Sequence, residues 1–268
     1  MSKRVLALLK KDFLVESSYK LPFLFNIFGV LVSILSYFFI DRLFGSKIVS
    51  HLEEFGVNYF SYVLLGMAFF SYIGVGLGSF SSRIQLEQTQ GTLEAILLTP
   101  TKISTILFSM ALWNLFFATV DVAIYIALGI FLFKISFAHV NLLSTALILI
   151  LTIVSFSSLG ILSASFIMVF KRGNPVGWVI NNLEGLIGGV YFPITVLPEW
   201  LQFLAKFFPI TYAIRAIELS VYKGYSPAAL SEEIGFLLAF SVLLFPLSLA
   251  TFKYAVKKAR QEGSLGYY

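Results

Sequence analysis

Residues 141–170 read NLLSTALILILTIVSFSSLGILSASFIMVF, a run without a single formal charge. As an α-helix it would be about 45 Å long at ~1.5 Å per residue, more than the ~30 Å hydrocarbon core of a bilayer. A helix of a water-soluble core shows a polar face at every turn, and this one shows none wide enough for water. It reads as a membrane-crossing helix, and the pattern recurs along the chain. Residues 21–40 and 59–80 are uncharged, 103–133 holds only Asp121, 176–197 holds only Glu184, and 234–252 is uncharged. The expected fold is an all-α membrane protein, a single transmembrane domain over residues 1–268. Its six spans are expected at 21–40, 59–80, 106–133, 142–169, 176–197 and 234–252. The third and fourth stretches exceed the hydrocarbon thickness, so they either tilt strongly or run on beyond it as stalks.

Composition agrees. Hydrophobic residues make up 58% of the chain and charged ones 12%, against roughly 25% charged in globular domains, and the mean hydropathy is +0.89. With most of the chain spent on spans, no room is left for a separate soluble catalytic domain. The net charge of +5 could signal nucleic acid, but its distribution says otherwise. Of the 19 Lys and Arg, thirteen lie in the N-terminal segment, the second and fourth loops and the C-terminal segment, and six in the other three loops. The positive-inside rule then places both termini in the cytoplasm of a multi-pass protein of the cell (inner or plasma) membrane. The basic excess favours anionic membrane lipids, and no nucleic-acid partner is expected.

There is no cysteine, which excludes disulfides and cysteine metal sites. A signal peptide fits the N-terminal segment poorly, because Lys10, Lys11 and Asp12 interrupt its apolar run. Val5, Leu6, Leu9 and Phe13 share one helical face opposite Lys3, Arg4, Lys10 and Lys11, the pattern of an interfacial helix; a frayed basic tail is the alternative. Residues 191–223 are apolar yet broken by Pro193, Pro198 and Pro209. The pieces 199–208 and 211–222 are too short to cross, and they fit a re-entrant helical hairpin in the outer leaflet, shielded by other protein. Tyr191, Phe192, Trp200, Phe207, Phe208 and Tyr212 suit an interface position, and a soluble outer loop is the bland alternative.

Catalytic constellations are missing. The two histidines, His51 and His139, fall in different loops, and the chain has no HExxH, no Gly-x-Ser-x-Gly elbow and no phosphate-binding Gly-x-x-x-x-Gly-Lys-Ser/Thr loop. No catalytic residue, metal ligand or cofactor site is expected, so any work against a gradient draws on a partner or an ion. Polar groups inside spans are the candidate pathway residues: Asn114 and Asp121 on one side of the third, Asn181 and Glu184 on one face of the fifth with Gly188. The alternative is that they hydrogen-bond neighbouring helices. Gly74, Gly76, Gly78, Gly185, Gly188, Gly189 and the set Ser157, Gly160, Ala164 read as close helix packing.

The most legible polar segment is 83–102, RIQLEQTQGTLEAILLTPTK. Leu86, Leu93, Ile96 and Leu97 oppose Glu87, Gln90 and Glu94, Gly91 permits a bend, and Pro100 ends the piece. A short helix lying across the inner membrane face, or a loop with a surface helix, would look like this.

The order Glu87-x-x-x-Gly91-Thr92-Leu93-Glu94-x-x-Leu97-x-Thr99-Pro100 resembles the coupling segment of ABC-2 type transporter permeases. The run Gly189-Val-Tyr-Phe-Pro193-Ile-x-x-Leu-Pro198-Glu-Trp-Leu, continuing through Phe208-Pro209-Ile-Thr211-Tyr-Ala-x-Arg215, resembles the same family after its fifth span. The span count, the inward termini and the N-terminal helix also match, so the resemblance covers essentially the whole chain. The Gly-Thr-Leu-Glu form is more similar to drug- and sodium-efflux branches than to polysaccharide exporters. The resemblance implies a permease that forms a homodimer on two ATP-binding-cassette ATPase subunits, which carry the ATP and magnesium. It assigns Arg83, Glu87, Gly91, Thr92, Glu94 and Pro100 to ATPase coupling, with the acids meeting basic groups on the ATPase. Gln88 and Gln90 stand where relatives carry further charge. Pro193, Pro198, Trp200, Pro209 and Arg215 would belong to an extracellular gate. It implies export of a hydrophobic or amphipathic small molecule, with sodium, polysaccharide or lipid export as variants and the cargo unfixed. An ATP-independent channel or secondary transporter, and an intramembrane enzyme, are the readings from other classes.

Overall fold

The computed structural model describes residues 20–48, 51–92, 103–170 and 187–261, with Leu6, Leu9, Lys10, Phe13, Leu14, Ala95, Ile96, Thr99 and Gly185. These residues are helical or in turns and short irregular connections such as 134–137, and no strand occurs among them. Five long helices, α1 (Lys20–Ile48), α2 (Tyr59–Thr89), α3 (Ile103–Phe133), α4 (Leu142–Phe170) and α7 (Ser231–Gln261), are long and apolar enough to cross a membrane. Two short helices, α5 (Glu199–Ala205) and α6 (Pro209–Glu218), precede α7, and a π-helical turn over Leu219–Lys223 prolongs α6. Residues 176–184 and 186 of the fifth expected span, 176–197, lie outside the described residues, as do most of the N-terminal segment and residues 262–268. The described stretch 188–197 runs in bends and a 3₁₀ turn, so the helix does not reach 197 as expected.

Two ends of the bundle can be told apart. Leu52, Phe55, Tyr62, Val190, Ile210, Ile214 and Leu237 share one buried cluster, so the starts of α2 and α7 meet the short helices there. Phe80, Ile84, Ile106, Ile161, Met168, Phe252 and Val256 form another, where α2, α4 and α7 end and α3 begins. We call these the short-helix end and the Gly91 end. Met168 lies at the Gly91 end and Val190 at the other, so the chain changes ends between them.

The centre of the bundle is α2. Of its residues 65% are buried, against 11% in the apolar window of α1 and 17% in that of α7, which leave their apolar faces outward as lipid solvent requires. Small residues set its approach to α4. A methyl group built on Gly160 would sit 2.1 Å from the Gly76 carbonyl oxygen, and one on Gly76 would sit 2.8 Å from Cβ of Phe156. The α4–α7 contact is joined by hydroxyls: Ser155 Oγ lies 2.9 Å from Ser241 Oγ, which also reaches the Leu151 carbonyl at 3.2 Å. In apolar surroundings such pairs satisfy groups that lipid cannot.

Three helices outrun the expected spans. α1 continues from residue 40 to Ile48, and Arg42 lies over the Phe38 ring at 5.3 Å. α7 continues to Gln261 because Phe252, Ala255, Val256 and Ala259 keep a buried stripe through the basic segment. α2 corrects the reading of 83–102 as one piece lying across the membrane face. Arg83 and Glu87 ride on the last turns of α2, since Ile84 stays in the core and no breaker occurs before Gly91.

Candidate functional site

At the Gly91 end, α2 stops because Gly91 takes φ +67°, a left-handed conformation that glycine adopts freely. The Gln90 amide donates to Leu86 O at 3.0 Å and the Gly91 amide to Gln88 O at 3.0 Å, satisfying carbonyls of the last turn. Thr92 then folds back: its amide donates to Glu87 O at 2.9 Å and its hydroxyl donates to Glu87 Oε2. Glu87 is only 2% exposed. The resemblance aims this carboxylate at a partner; within the chain it is committed to its own turn. Gly91 and Thr92 are exposed. Glu94 and Pro100 lie outside the described residues, and for Arg83 the description extends to the backbone alone.

The short-helix end holds the second set. Pro193 is buried before the 3₁₀ turn Ile194–Val196. Pro198 starts α5, Trp200 on α5 is exposed, and Pro209 takes the first position of α6, where its missing N–H costs nothing. Thr211 donates to Ala205 O at 2.7 Å, closing the corner between the two short helices. α6 buries Ile210, Thr211, Ala213, Ile214, Ile217 and Glu218 and turns Arg215 outward.

Arg215 joins three parts of the chain. Nη1 donates to Glu233 Oε1 at 2.7 Å, while Nε and Nη2 donate to Glu54 Oε1 at 3.1 and 2.7 Å. Burial alone would lower the guanidinium's pKa, but the Glu54 hydrogen bond and the charges of Glu54, Glu233 and Glu232 raise it overall. Glu54 is half exposed, whereas the Glu233 side chain is only 5% exposed, on the first turn of α7. This ion pair fastens α6 to α7 and to the segment before α2. It borders an apolar-walled cavity of ≈ 250 Å³ lined in part by His51, Glu54, Tyr62, Gly189, Thr211 and Arg215.

A second, more polar cavity of ≈ 500 Å³ lies between α1, α2 and α3, with Asp41, Ser61, Lys134, His139 and Tyr222 in its wall. A tyrosine lines each cavity. Tyr62 lines the first and donates to Gly189 O at 2.5 Å; Tyr222 lines the second and donates to Ser61 O at 2.7 Å. The two histidines, far apart in sequence, thus stand one in each cavity.

Asn114 and Asp121 are both half-buried on α3 and line neither cavity. The structure does not bring them together with the Arg215 cluster. Asn181 and Glu184 lie outside the described residues. Sequence reading missed Glu54, Glu233 and Glu218. Glu218 had a signal, an acid at i, i+3, i+7 with Thr211 and Ile214 on the apolar face of α6; Glu54 and Glu233 had none, since both are acids in expected loops or helix starts.

The profile of the ABC-2 type transporter family matches residues 3–222, from the N-terminal segment through the π turn after α6. The chain is also similar to the inner membrane transport permease YadH of Escherichia coli strain K12. They are 25% identical over 208 residues, covering 76% of this chain and 78% of the relative. The protein of that name from Shigella flexneri is similar to the same extent. With the profile spanning most of its length, this chain belongs to the ABC-2 type transporter family.

Proposed function

We propose that the chain is the membrane-spanning permease subunit of an ATP-driven ABC exporter that moves a hydrophobic or amphipathic small molecule out of the cell. The observation that carries this reading is the continuity of α2. Its first turns are tied to the short-helix end through Ser61 O and the Tyr62 hydroxyl, and its last turn holds the Glu87–Thr92 fold-back. The 31 residues of α2 make a rod of about 46 Å. A rod fixed at both ends passes a displacement at the Gly91 turn directly to α6 and the cavities beside it.

In this reading the chain is not an enzyme and holds no cofactor. It has no glycine-rich phosphate loop, so ATP and magnesium sit on a separate ATP-binding-cassette subunit. Two such subunits dock beneath a homodimer of this chain in the inner membrane, among its lipids. Both termini and the Gly91 end face the cytoplasm, and α5 and α6 form a re-entrant gate at the outer face. The family supports the partner, and the relative's printed name supports the membrane.

The test is co-purification of the ATPase together with cargo-dependent transport. Because Glu87 is buried in its own turn, Glu87→Lys would damage the turn itself; Glu94→Lys is the docking variant and Glu87→Gln the turn-preserving control. A like charge at a docking contact costs on the order of several kcal/mol, so Glu94→Lys should shed the ATPase while Glu87→Gln and Asp121→Asn retain it. Unchanged co-purification and unchanged transport in Glu94→Lys would overturn the coupling assignment. Transport by the chain alone in liposomes would replace the reading with a channel or secondary transporter.

A further inference from the structure

Glu218 ends α6 with 0% exposure, and neither of its carboxyl oxygens has a hydrogen-bond partner among the described residues. Four groups on or beside α6 that could charge-pair with it or donate to it are engaged elsewhere. Arg215, one turn earlier, spends its guanidinium on Glu54 and Glu233. The Tyr62 and Tyr222 hydroxyls donate to Gly189 O and Ser61 O. Ser220 donates to Ile217 O. An ionised carboxylate here would be a bare buried charge, which protein interiors avoid by neutralising the group.

We propose that Glu218 is a proton-binding site between the two cavities: it holds a proton while α6 is packed against α2 and releases it when α6 moves and water from the cavities reaches it. The position supports this. Tyr62 and Tyr222, the walls of the two cavities, are both close enough for the charge of Glu218 to act on them, while Glu218 lines neither cavity. Displacement of α6 would join the cavities at the carboxyl. The charge of Glu218 acts on Tyr62 of α2 and Tyr222 of the π turn. Arg215 and Lys223 are the cations on its own stretch of chain, and Glu54 with Glu232 and Glu233 of α7 gather around Arg215. α4, also packed on α6, contains no titratable side chain. Arg215 is held on the surface by Glu54 and Glu233, and Lys223 is exposed beside Gly56, so neither stabilises an anion at 218.

The direction of the pH effect follows. Burial pushes the Glu218 carboxyl well above the usual carboxylate range. The packed form therefore binds the proton more tightly than a form in which water reaches the carboxyl. Packing is fully favoured in acid and is lost as pH rises from the ordinary carboxylate range through the raised value, by at most about tenfold per pH unit. This behaviour belongs to the chain itself, whatever its cargo or ATPase.

The chain has no cysteine, so a single Ala213→Cys on α6, a buried position, reports whether α6 is packed. Thiol labelling of full-length chain in native membranes is compared at each pH with the same cysteine in Glu218→Gln. That ratio cancels the titration of the thiol itself. Labelling of the chain that keeps Glu218, divided by labelling of the Glu218→Gln variant, should rise with pH, up to about tenfold per unit. Glu218→Met, a second neutral side chain of similar size, should behave as the Glu218→Gln variant does. The unmodified chain at neutral pH should also show the infrared carbonyl band of a protonated carboxylic acid, absent from both variants. A ratio flat from acid to alkaline pH, or no such band in the unmodified chain, would overturn the proposal.

Discussion

Gly160 and Gly76 meet backbone against backbone: the space a Cβ would fill on Gly160 lies 2.1 Å from the Gly76 carbonyl oxygen and 3.0 Å from that of Leu77. No side-chain rotation can relieve that contact, because both obstacles are main chain on the central helix. The closeness of α2 and α4 is thus set by what Gly160 lacks.

Gly160→Ala should push the two helices apart and destabilise the fold by about 1–3 kcal/mol, the usual cost of overpacking. Gly74→Ala is the matched control, since a Cβ there meets nothing within 4 Å. Thermal aggregation of detergent-solubilised protein should fall to lower temperature for the first variant and stay unchanged for the second. Equal behaviour of the two would refute the packing account.

The Arg215 ion pairs should prove unequal. Glu54 is 46% exposed and Glu233 5%. Glu54→Gln should cost less than about 1 kcal/mol, as exposed pairs do. Arg215→Gln strands the buried Glu233 carboxylate and should cost about 1–3 kcal/mol. The double variant Arg215→Gln with Glu233→Gln should recover most of that loss, because it removes the stranded charge. Thermal unfolding of all four proteins checks the order, and no recovery in the double variant would show that the ion pair is not what Arg215 supplies.

Orientation can be read with the cysteine-free background. Cysteines placed at the exposed positions Gln90 and Lys206 should be labelled by an impermeant reagent from opposite sides of sealed cells, Lys206→Cys from outside. Labelling of both from one side would overturn the topology drawn from the distribution of Lys and Arg.

By itself the sequence determined that this is a helical membrane protein, and where the apolar parts of α1, α2, α3, α4 and α7 lie, though not how far α1, α2 and α7 run past them. Long uncharged stretches leave the backbone no partner but its own helix, and that constraint is local. The bend at Gly91 was legible for the same reason, since a bend needs only the residue that bends, but not that α2 runs on to it. The family motifs were legible as an ordered string, although Glu87 faces inward to Thr92 in a way no string shows. Only the tertiary structure decided that Arg215 meets Glu54, 161 residues away, that Tyr62 donates to Gly189, 127 residues away, and that Glu218 is sealed without a partner among the described residues. Sequence sets which residues a helix carries. Burial and pairing depend on which helix lies opposite, and the chain decides that only once α6 has packed against α2, α4 and α7.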